Sequence, residues 1–246
     1  MRPLHIIMPM AGEGSRFLKE GYNIPKPLIQ FKDKSLFQRA INSTNKITGD
    51  KKYSFIVRQD HIENYQIDKE LKLFYPKAQV FSVKETTRGA VETCMKALCA
   101  IDNEDAILIL DCDLEFKSRE FDQSISNILN KPINKVNGGM LVSFYADLPI
   151  YSYAEIDETT RIVKRTAEKK VISNHALCGA YFFSKAESFL FATHQLLNDK
   201  DFNKPEFYVS LLFNTLIKRG ETVKLAQTDT YFSYGTPEEL KKNLQV

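Results

Sequence analysis

The chain has 246 residues, of which 43% are hydrophobic and 26% are charged, as in an ordinary globular protein large enough for a full core. Its 34 basic and 31 acidic residues leave a net charge of +3, which argues against a nucleic-acid-binding or membrane-surface protein, because such proteins normally show a concentrated basic face. No apolar stretch approaches the roughly 18 residues of a membrane span and no signal-peptide pattern is present, so we expect a cytoplasmic protein.

Strand-like and helical patterns alternate through the first 110 residues. The predicted strands are 5–10, 53–58, 78–83 and 105–110, and the predicted helices are 61–74 and 89–101. Such alternation indicates right-handed βαβ crossovers and a mostly parallel sheet of the α/β class. Ligands of such sheets bind beyond the carboxyl ends of the strands, which is where the two most informative segments lie.

The first of these segments is a glycine-rich turn directly after the first strand. Glycines in such a turn let backbone N–H groups approach phosphate oxygens, and nearby cations stabilise the bound charge. Lys26 lies between two prolines, so its backbone is stiff and its ammonium loses little entropy on meeting a phosphate. The third glycine of a dinucleotide-binding turn and the Gly-Lys-Ser/Thr of a Walker motif are absent. We interpret the segment as a nucleoside triphosphate cradle formed by Ala11, Gly12, Glu13, Gly14 and Ser15, with Arg16 and Lys26 as catalytic cations.

The second segment, Asp111-Cys112-Asp113, follows the buried strand 105–110. Carboxylates at such a strand end can hold Mg²⁺, which keeps water ligands and bridges phosphate oxygens. Asp111 and Asp113 share a side only if the backbone between them stays extended. The same pattern is also how glycosyltransferases of the GT-A type hold a metal for a sugar nucleotide, and solvated loop acids are a further reading. The triphosphate cradle argues against the glycosyltransferase.

The second half of the chain has a different character. Strands are predicted at 139–146, 153–156, 162–167 and 176–183, and helices at 185–197 and 207–219. We expect an α+β extension on the same sheet, hence one domain over 1–246 with a nucleotide-binding half, 1–136, and an acceptor-binding half, 137–246. Phe207, Tyr208 and Phe213 recur at helical spacing, which favours the core over a stacking platform. The cysteines have no metal-ligand spacing and are expected to be reduced, in or near the core: Cys94, Cys99, Cys112 and Cys178.

Six elements in this order resemble the sugar-phosphate nucleotidyltransferases, also called nucleotidylyl-transfer pyrophosphorylases. The elements are 12–17, 25–28, 86–90, Asp113, 167–181 and 235–240. The likeness covers nearly the whole chain, although no single element is specific. The resemblance implies a Rossmann-like, three-layer α/β fold related to GT-A. It also implies an enzyme that uses Mg²⁺ and transfers a nucleoside monophosphate from a nucleoside triphosphate to a sugar 1-phosphate or another phosphorylated acceptor. A homodimer is compatible with it.

The resemblance also implies roles for individual residues. The nucleobase would meet Lys84, Glu85 and Gly89; the acceptor would meet Glu168, Lys169, Gly179 and Glu206; and the metal would meet Asp113 and Asp111. Because a phosphate nucleophile is already anionic, no role falls to His5, His61, His175 or His194.

The sequence also departs from the family pattern. Ser233 stands where larger members place an aspartate as second metal ligand, and Lys170 stands where proline is usual. Because Ser233 lacks the carboxylate of that second ligand, a non-catalytic nucleotide-binding module remains an alternative. The start of the chain and residues 206–208 resemble a shorter bacterial type associated with capsule and surface polysaccharide. The resemblance leaves the nucleobase and the acceptor unassigned.

Overall fold

The computed structural model describes residues 1–244 and shows an α/β fold built on a nine-stranded sheet. The strands are β1 (Leu4–Met10), β2 (Gln30–Phe31), β3 (Lys34–Ser35), β4 (Lys51–Arg58), β5 (Gln79–Val83), β6 (Ala106–Leu110), β7 (Leu114–Lys117), β8 (Gly139–Tyr145), β9 (Ser152–Ile156), β10 (Val163–Glu168), β11 (His175–Phe183), β12 (Val223–Gln227) and β13 (Thr230–Ser233). The α-helices are α1 (Ser15–Lys19), α2 (Leu36–Asn42), α3 (Gln59–Tyr65), α4 (Ile67–Phe74), α5 (Ala90–Cys94), α6 (Arg119–Leu129), α7 (Ala186–Leu197), α8 (Leu212–Lys218) and α9 (Pro237–Asn243).

The sheet places parallel and antiparallel regions side by side. Strands β5, β4, β1 and β6 are adjacent and parallel, and β12 is parallel to β8. Strand β11 lies between these groups and is antiparallel to both β6 and β8. The β9–β10 hairpin joins the amino-terminal part of β11 through the pair Ala176 and Tyr153. The hairpin therefore extends past the carboxyl end of β6 and forms a wall there.

Two hydrophobic cores cover the two faces of the sheet. Successive residues of β1 alternate between them: Ile6 and Met8 belong to one core and Ile7 to the other. Helices α2, α4 and α6 contribute to the first core, and α5, α7 and α8 contribute to the second. All five residues of β6 are buried, as expected for a strand covered on both faces. The predicted three-layer, Rossmann-like α/β class is thus confirmed.

Three predicted helices are interrupted or shortened in the structure. The helix predicted at 61–74 is two helices separated at Gln66, whose φ of 52° is left-handed. The helix predicted at 89–101 tightens into a 3₁₀ turn over Met95–Ala100. The helix predicted at 207–219 begins with a 3₁₀ turn at Val209, so the helical spacing assigned to Phe207 and Tyr208 was wrong. Hydrophobic period alone did not show these breaks in backbone conformation.

The sequence did not predict the small β7–β13 pair. It places Ser233 opposite Leu114, one residue from Asp113, and the N–H of Tyr234 donates to the Asp113 carbonyl at 2.8 Å. Helix α9 follows at once. Thr236 and Glu239 form a reciprocal capping box that fixes its first turn.

The cysteines are reduced, as expected. All four cysteines are free; three are buried, but Cys99 is exposed, so its expected place near the core was wrong. Within residues 1–244, no helix combines the length and apolarity needed to cross a membrane.

Candidate active site

A cleft of about 450 Å³ opens at the carboxyl end of β6, between the main sheet, the β9–β10 hairpin and the segment 206–209. The predicted site residues that line it are Arg16, Asp111, Asp113, Glu168, Lys169, Gly179 and Glu206. Lys26 joins them through its ion pair with Asp113. The remaining predicted residues are not part of its lining: Ala11 to Gly14 lie on the loop before α1, Ser15 begins α1, and Lys84, Glu85 and Gly89 lie on the loop between β5 and α5.

Lys26 and Asp113 form an ion pair. Lys26 begins a 3₁₀ turn after Pro25, and its ammonium donates to Asp113 Oδ2. Both side chains are about three-quarters buried, with exposed fractions of 22% and 25%. Burial lowers the pKa of Lys26, but the carboxylate of Asp113, with Asp111 behind it, more than offsets this and leaves the pKa raised. Lys26 is therefore held as a cation where the acidic strand end meets the glycine loop.

Gly179 makes room for Asp111. Strand β11 is irregular between Leu177 and Tyr181, and Gly179 in this segment has a φ of +92°. A Cβ on Gly179 would lie 2.6 Å from Asp111 Oδ2 and 2.8 Å from a methyl carbon of Leu114. The Gly179 carbonyl also accepts the N–H of Asp111 at 2.9 Å. The glycine thus fixes the position of the acidic segment from the opposite strand.

Asp111 gives the free protein a distinct pH dependence. Burial, Asp113 and Glu168 outweigh the attraction of Lys26 and raise the pKa of Asp111 to about 8. A carboxyl that binds its proton more tightly when folded contributes a stability that falls as pH rises from about 4 to about 8. Asp111→Asn should remove this contribution. In urea titrations with chelator, the free energy of unfolding of the variant relative to the wild type should rise between about pH 5 and about pH 8. A pH-independent difference, or the same rise in Asp50→Asn, would contradict the assignment.

The glycine loop lies against Lys26. Gly14 adopts a left-handed φ of 65° directly before α1, and a Cβ on it would touch Lys26 Cβ at 3.6 Å. Gly12 has no atom within 4 Å of an added Cβ and no positive φ, so the chain itself does not require glycine there. A short helix follows the loop at Ser15, where the sequence had indicated none. Arg16, in that helix, is exposed on the cleft and has no ion pair within residues 1–244.

The loop 84–90 connects the glycine loop to the far wall of the cleft. Thr86 donates to Glu13 Oε1 at 3.2 Å, while Lys84 and Glu85 are exposed. The N–H of Phe207 donates to the carbonyl of Arg88 at 2.8 Å, and the Phe207 carbonyl accepts the N–H of Val91 at 3.1 Å. Between these bonds, a Cβ on Gly89 would lie 2.5 Å from the Phe207 nitrogen. Contact with Phe207 is therefore sufficient to require glycine at position 89.

Glu168 and Lys169 lie on the far wall of the cleft. Glu168 lies opposite Ser152 in the β9–β10 strand pair. Its carboxylate accepts hydrogen bonds from the hydroxyl of Ser152 and from the hydroxyl of Ser210, the latter at 2.9 Å. Burial raises its pKa despite these bonds. Lys169 has a left-handed φ of 52° and donates from Nζ to the Tyr208 hydroxyl at 3.0 Å, which raises the pKa of the lysine. The wall thus carries one carboxylate and one ammonium group, each fixed by hydrogen bonds to neighbouring hydroxyls.

Sequence reasoning missed several residues of the cleft. Tyr151 and Tyr231 line it and had no signal in the sequence, and the Tyr151 hydroxyl donates to Glu239 Oε1 at 3.1 Å. Tyr208 also lines the cleft. Tyr208 was assigned to the core but is half-buried at the cleft, whereas its neighbour Phe207 is buried and stacks on Phe202 at 4.3 Å. Glu239 belongs to the 235–240 motif, so its position in the sequence was a usable signal.

A Ser–His–Asp arrangement lies elsewhere in the fold. His5 is 2.8 Å from the Ser54 hydroxyl and 3.2 Å from Asp105 Oδ2, and Lys52 donates to Asp105 at 2.9 Å. The serine, histidine and aspartate are at most 1% exposed, so no substrate can reach them. The arrangement is a satisfied polar cluster that connects β1, β4 and the start of β6.

Comparison with known proteins agrees with this architecture. A search of curated protein sequences found no match. The chain is similar to the solved structure of a nucleoside-diphosphate-sugar pyrophosphorylase from Vibrio cholerae, with 25% identity and a TM-score of 0.81 over 98% of this chain and 100% of that one. It is also similar in fold to an inositol-1-phosphate CTP transferase from T. maritima, with 14% identity and a TM-score of 0.72 over 100% of this chain and 95% of that one. The fold is also similar to that of a UDP-glucose pyrophosphorylase, with 17% identity and a TM-score of 0.72 over 98% of this chain and 97% of that one.

The family comparison covers most of the molecule. A family model described as nucleotidyl transferase matches residues 4–233, which include the glycine loop, the Lys26–Asp113 pair and the wall that carries Glu168. The chain therefore belongs to the nucleotidyl transferase family.

Proposed function

We propose that the protein transfers a nucleoside monophosphate from a nucleoside triphosphate to a small phosphorylated acceptor, in the first instance a sugar 1-phosphate, and releases pyrophosphate. The observation that carries this proposal is the Lys26–Asp113 pair, which lies between a glycine loop and the wall of Glu168 and Lys169. The two sides suit two different phosphate-bearing reactants. The sugar-nucleotide name of the Vibrio cholerae protein supports the acceptor class.

The nucleotide would bind along the glycine loop. Backbone amides of 12–15 and the Arg16 guanidinium would hold the β- and γ-phosphates, and Lys26 would meet the α-phosphate. The nucleobase would lie on the 84–90 loop, which Thr86 and Glu13 hold against the glycine loop. Open space at Gly12 and the exposure of Arg16 on the cleft support this placement.

The acceptor would bind on the opposite wall. Lys169 would meet its phosphate, Glu168 would accept hydrogen bonds from its hydroxyls, and Glu206 would lie at the edge of the pocket with Gly179 beneath. An acceptor phosphate oxygen would attack the α-phosphorus and displace pyrophosphate. Because that oxygen is already anionic, the protein need only align the reactants and stabilise the developing charge.

The acidic strand end fits a divalent cation. Burial and the nearby Asp113 raise the pKa of Asp111, and a bound cation would relieve the repulsion between the two carboxylates. Within the described residues no cluster of three or more His, Cys, Asp or Glu side chains forms a closed metal cage. Mg²⁺ suits such a site because it takes one or two carboxylates and completes its shell with phosphates and water. When bound between Asp113 and the triphosphate it would supply positive charge near the α-phosphate.

The cellular role follows from the reaction and from the resemblance to short bacterial enzymes. The product would be an activated precursor for capsule or other surface polysaccharide. A nucleoside triphosphate substrate favours the cytoplasm as the compartment.

The reaction can be tested by pyrophosphate release. The protein should be incubated with Mg²⁺, each of the common ribonucleoside triphosphates and dTTP, and a panel of sugar 1-phosphates and other phosphorylated acceptors. At least one pair should release pyrophosphate and form a nucleotide-linked product by mass spectrometry. Turnover of nucleotide sugars without pyrophosphate would instead identify a glycosyltransferase that uses Asp111 and Asp113. Tight nucleotide binding with no turnover across the panel would identify a binding module.

A further inference from the structure

Three side-chain oxygens converge on the space above Gly235. A Cβ at that position would lie 3.1 Å from Glu239 Oε2, 3.5 Å from Asp113 Oδ2 and 3.6 Å from Ser233 Oγ. The φ of Gly235 is not positive, so the backbone conformation does not demand glycine. The missing side chain leaves a small gap with two carboxylate oxygens and a hydroxyl around it, which is a donor set for a hard divalent cation.

The structure holds Glu239 in place for such a role. Its Oε2 accepts the N–H of Thr236 at 3.0 Å, and its Oε1 accepts the hydroxyl of Tyr151 at 3.1 Å. These bonds fix the carboxylate, and each oxygen keeps a further lone pair for a ligand. Asp113 Oδ2, on the other side of the gap, is the oxygen that the Lys26 ammonium contacts. One cationic group thus already occupies part of this acidic site in the free protein.

We propose that the divalent cation binds beside Gly235 and that Glu239, on α9, supplies the second carboxylate next to Asp113, with the Ser233 hydroxyl or a water beside them. The proposal rests on the metal-dependent reaction proposed above. It assigns the second carboxylate to a residue six positions after Ser233 in the chain rather than to position 233 itself. Asp111 Oδ2 lies against Gly179 and is not among the three atoms nearest to an added Cβ on Gly235.

The test measures binding of Mn²⁺ alone, by the loss of the free-ion electron paramagnetic resonance signal as protein is added. Glu239→Gln removes the charge but keeps the capping box, because glutamine serves equally at that position. It should weaken Mn²⁺ binding at least about tenfold, the smallest effect usual for loss of a partner in a metal site. The matched control is Glu238→Gln, which neutralises the adjacent, exposed glutamate outside the cleft and should leave the affinity unchanged.

A gain of affinity provides the second arm. Ser233→Asp adds a carboxylate beside the same gap and should tighten Mn²⁺ binding about tenfold, and it should restore binding in the Glu239→Gln background. Melting temperatures of all variants are recorded, because a variant that only destabilised the fold would not be rescued by Ser233→Asp. Equal affinities for the wild type, Glu239→Gln and Glu238→Gln would overturn the proposal, as would absence of rescue.

These outcomes are separable from those of the reaction itself. Pyrophosphate release with normal Mn²⁺ affinity in Glu239→Gln would keep the proposed function and reject the Glu239 site. Mn²⁺ binding that depends on Glu239, without pyrophosphate release from any substrate pair, would keep the site and reject the reaction.

Discussion

Replacing Lys26 with alanine should lower turnover at least about 100-fold, as expected for loss of one charge partner of the transition state. The substitution removes the cation that lies between the glycine loop and the acidic strand end, and it leaves Asp113 without its ion pair. The measurement is the rate of pyrophosphate release with a substrate pair that the panel assay shows to react. Asp113→Ala should cause a loss of similar size. Because the two side chains are partners, the double variant should lose less than the product of the single losses.

Lys241→Ala is the matched control. Lys241 also pairs with a carboxylate, Glu20 at 3.2 Å, but both side chains are exposed and Lys241 does not line the cleft. Its removal should leave turnover and melting temperature close to the wild type, because exposed ion pairs contribute little. A Lys26→Ala enzyme with a near-normal rate would remove Lys26 from the mechanism.

Gly179→Ala should be nearly as damaging to turnover, for a steric reason. The added methyl group would overlap Asp111 Oδ2 at 2.6 Å and Leu114 at 2.8 Å, and these residues flank Asp113 on both sides. A shift of about 1 Å in such a segment can cost about 100-fold in rate. The left-handed φ adds about 1–3 kcal/mol of backbone strain, which should lower the melting temperature by several degrees. Turnover and calorimetry on the same preparation measure both effects.

Gly220→Ala is a control that separates the effect of backbone strain from the effect of steric overlap between the added methyl group and its neighbours. Gly220 has a φ of +84°, close to that of Gly179, but nothing lies within 4 Å of an added Cβ. This control should lower the melting temperature while turnover stays near the wild-type rate. If both variants retained activity, the proposed dependence of the acidic segment on Gly179 would be wrong.

The parts of the fold that the sequence predicted well are those with strong local patterns. Strand β6 is a continuous apolar run and strand β1 precedes a glycine turn, so both were located within one residue. The α/β class followed from the order of such elements. Asp111, Asp113 and Glu168 were found as site candidates because strand ends and motif spacing are visible without coordinates, and the structure brings them to one cleft.

The parts that the sequence could not predict depend on contacts between distant segments. The role of Gly179 depends on Asp111, 68 positions earlier, and that of Gly89 on Phe207. The break at Gln66 is a single left-handed residue in an otherwise amphipathic pattern, which hydrophobic period does not detect. The pairing of β7 with β13 joins two short strands far apart in sequence, so the proximity of Glu239 to Asp113 became visible only in the fold, whereas the resemblance had already placed Ser233 near the metal.

The contact between Gly89 and Phe207 also limits how such an enzyme can be recombined. A chimera that joined residues 1–136 to the remainder of a relative with another acceptor would place a foreign backbone against Gly89. The two backbone hydrogen bonds between Phe207 and residues 88 and 91 would then have to form with a segment that did not evolve beside this loop. Exchange of acceptor preference should therefore succeed more often when the 84–91 and 202–208 segments are transplanted together than when the chain is cut once between the halves.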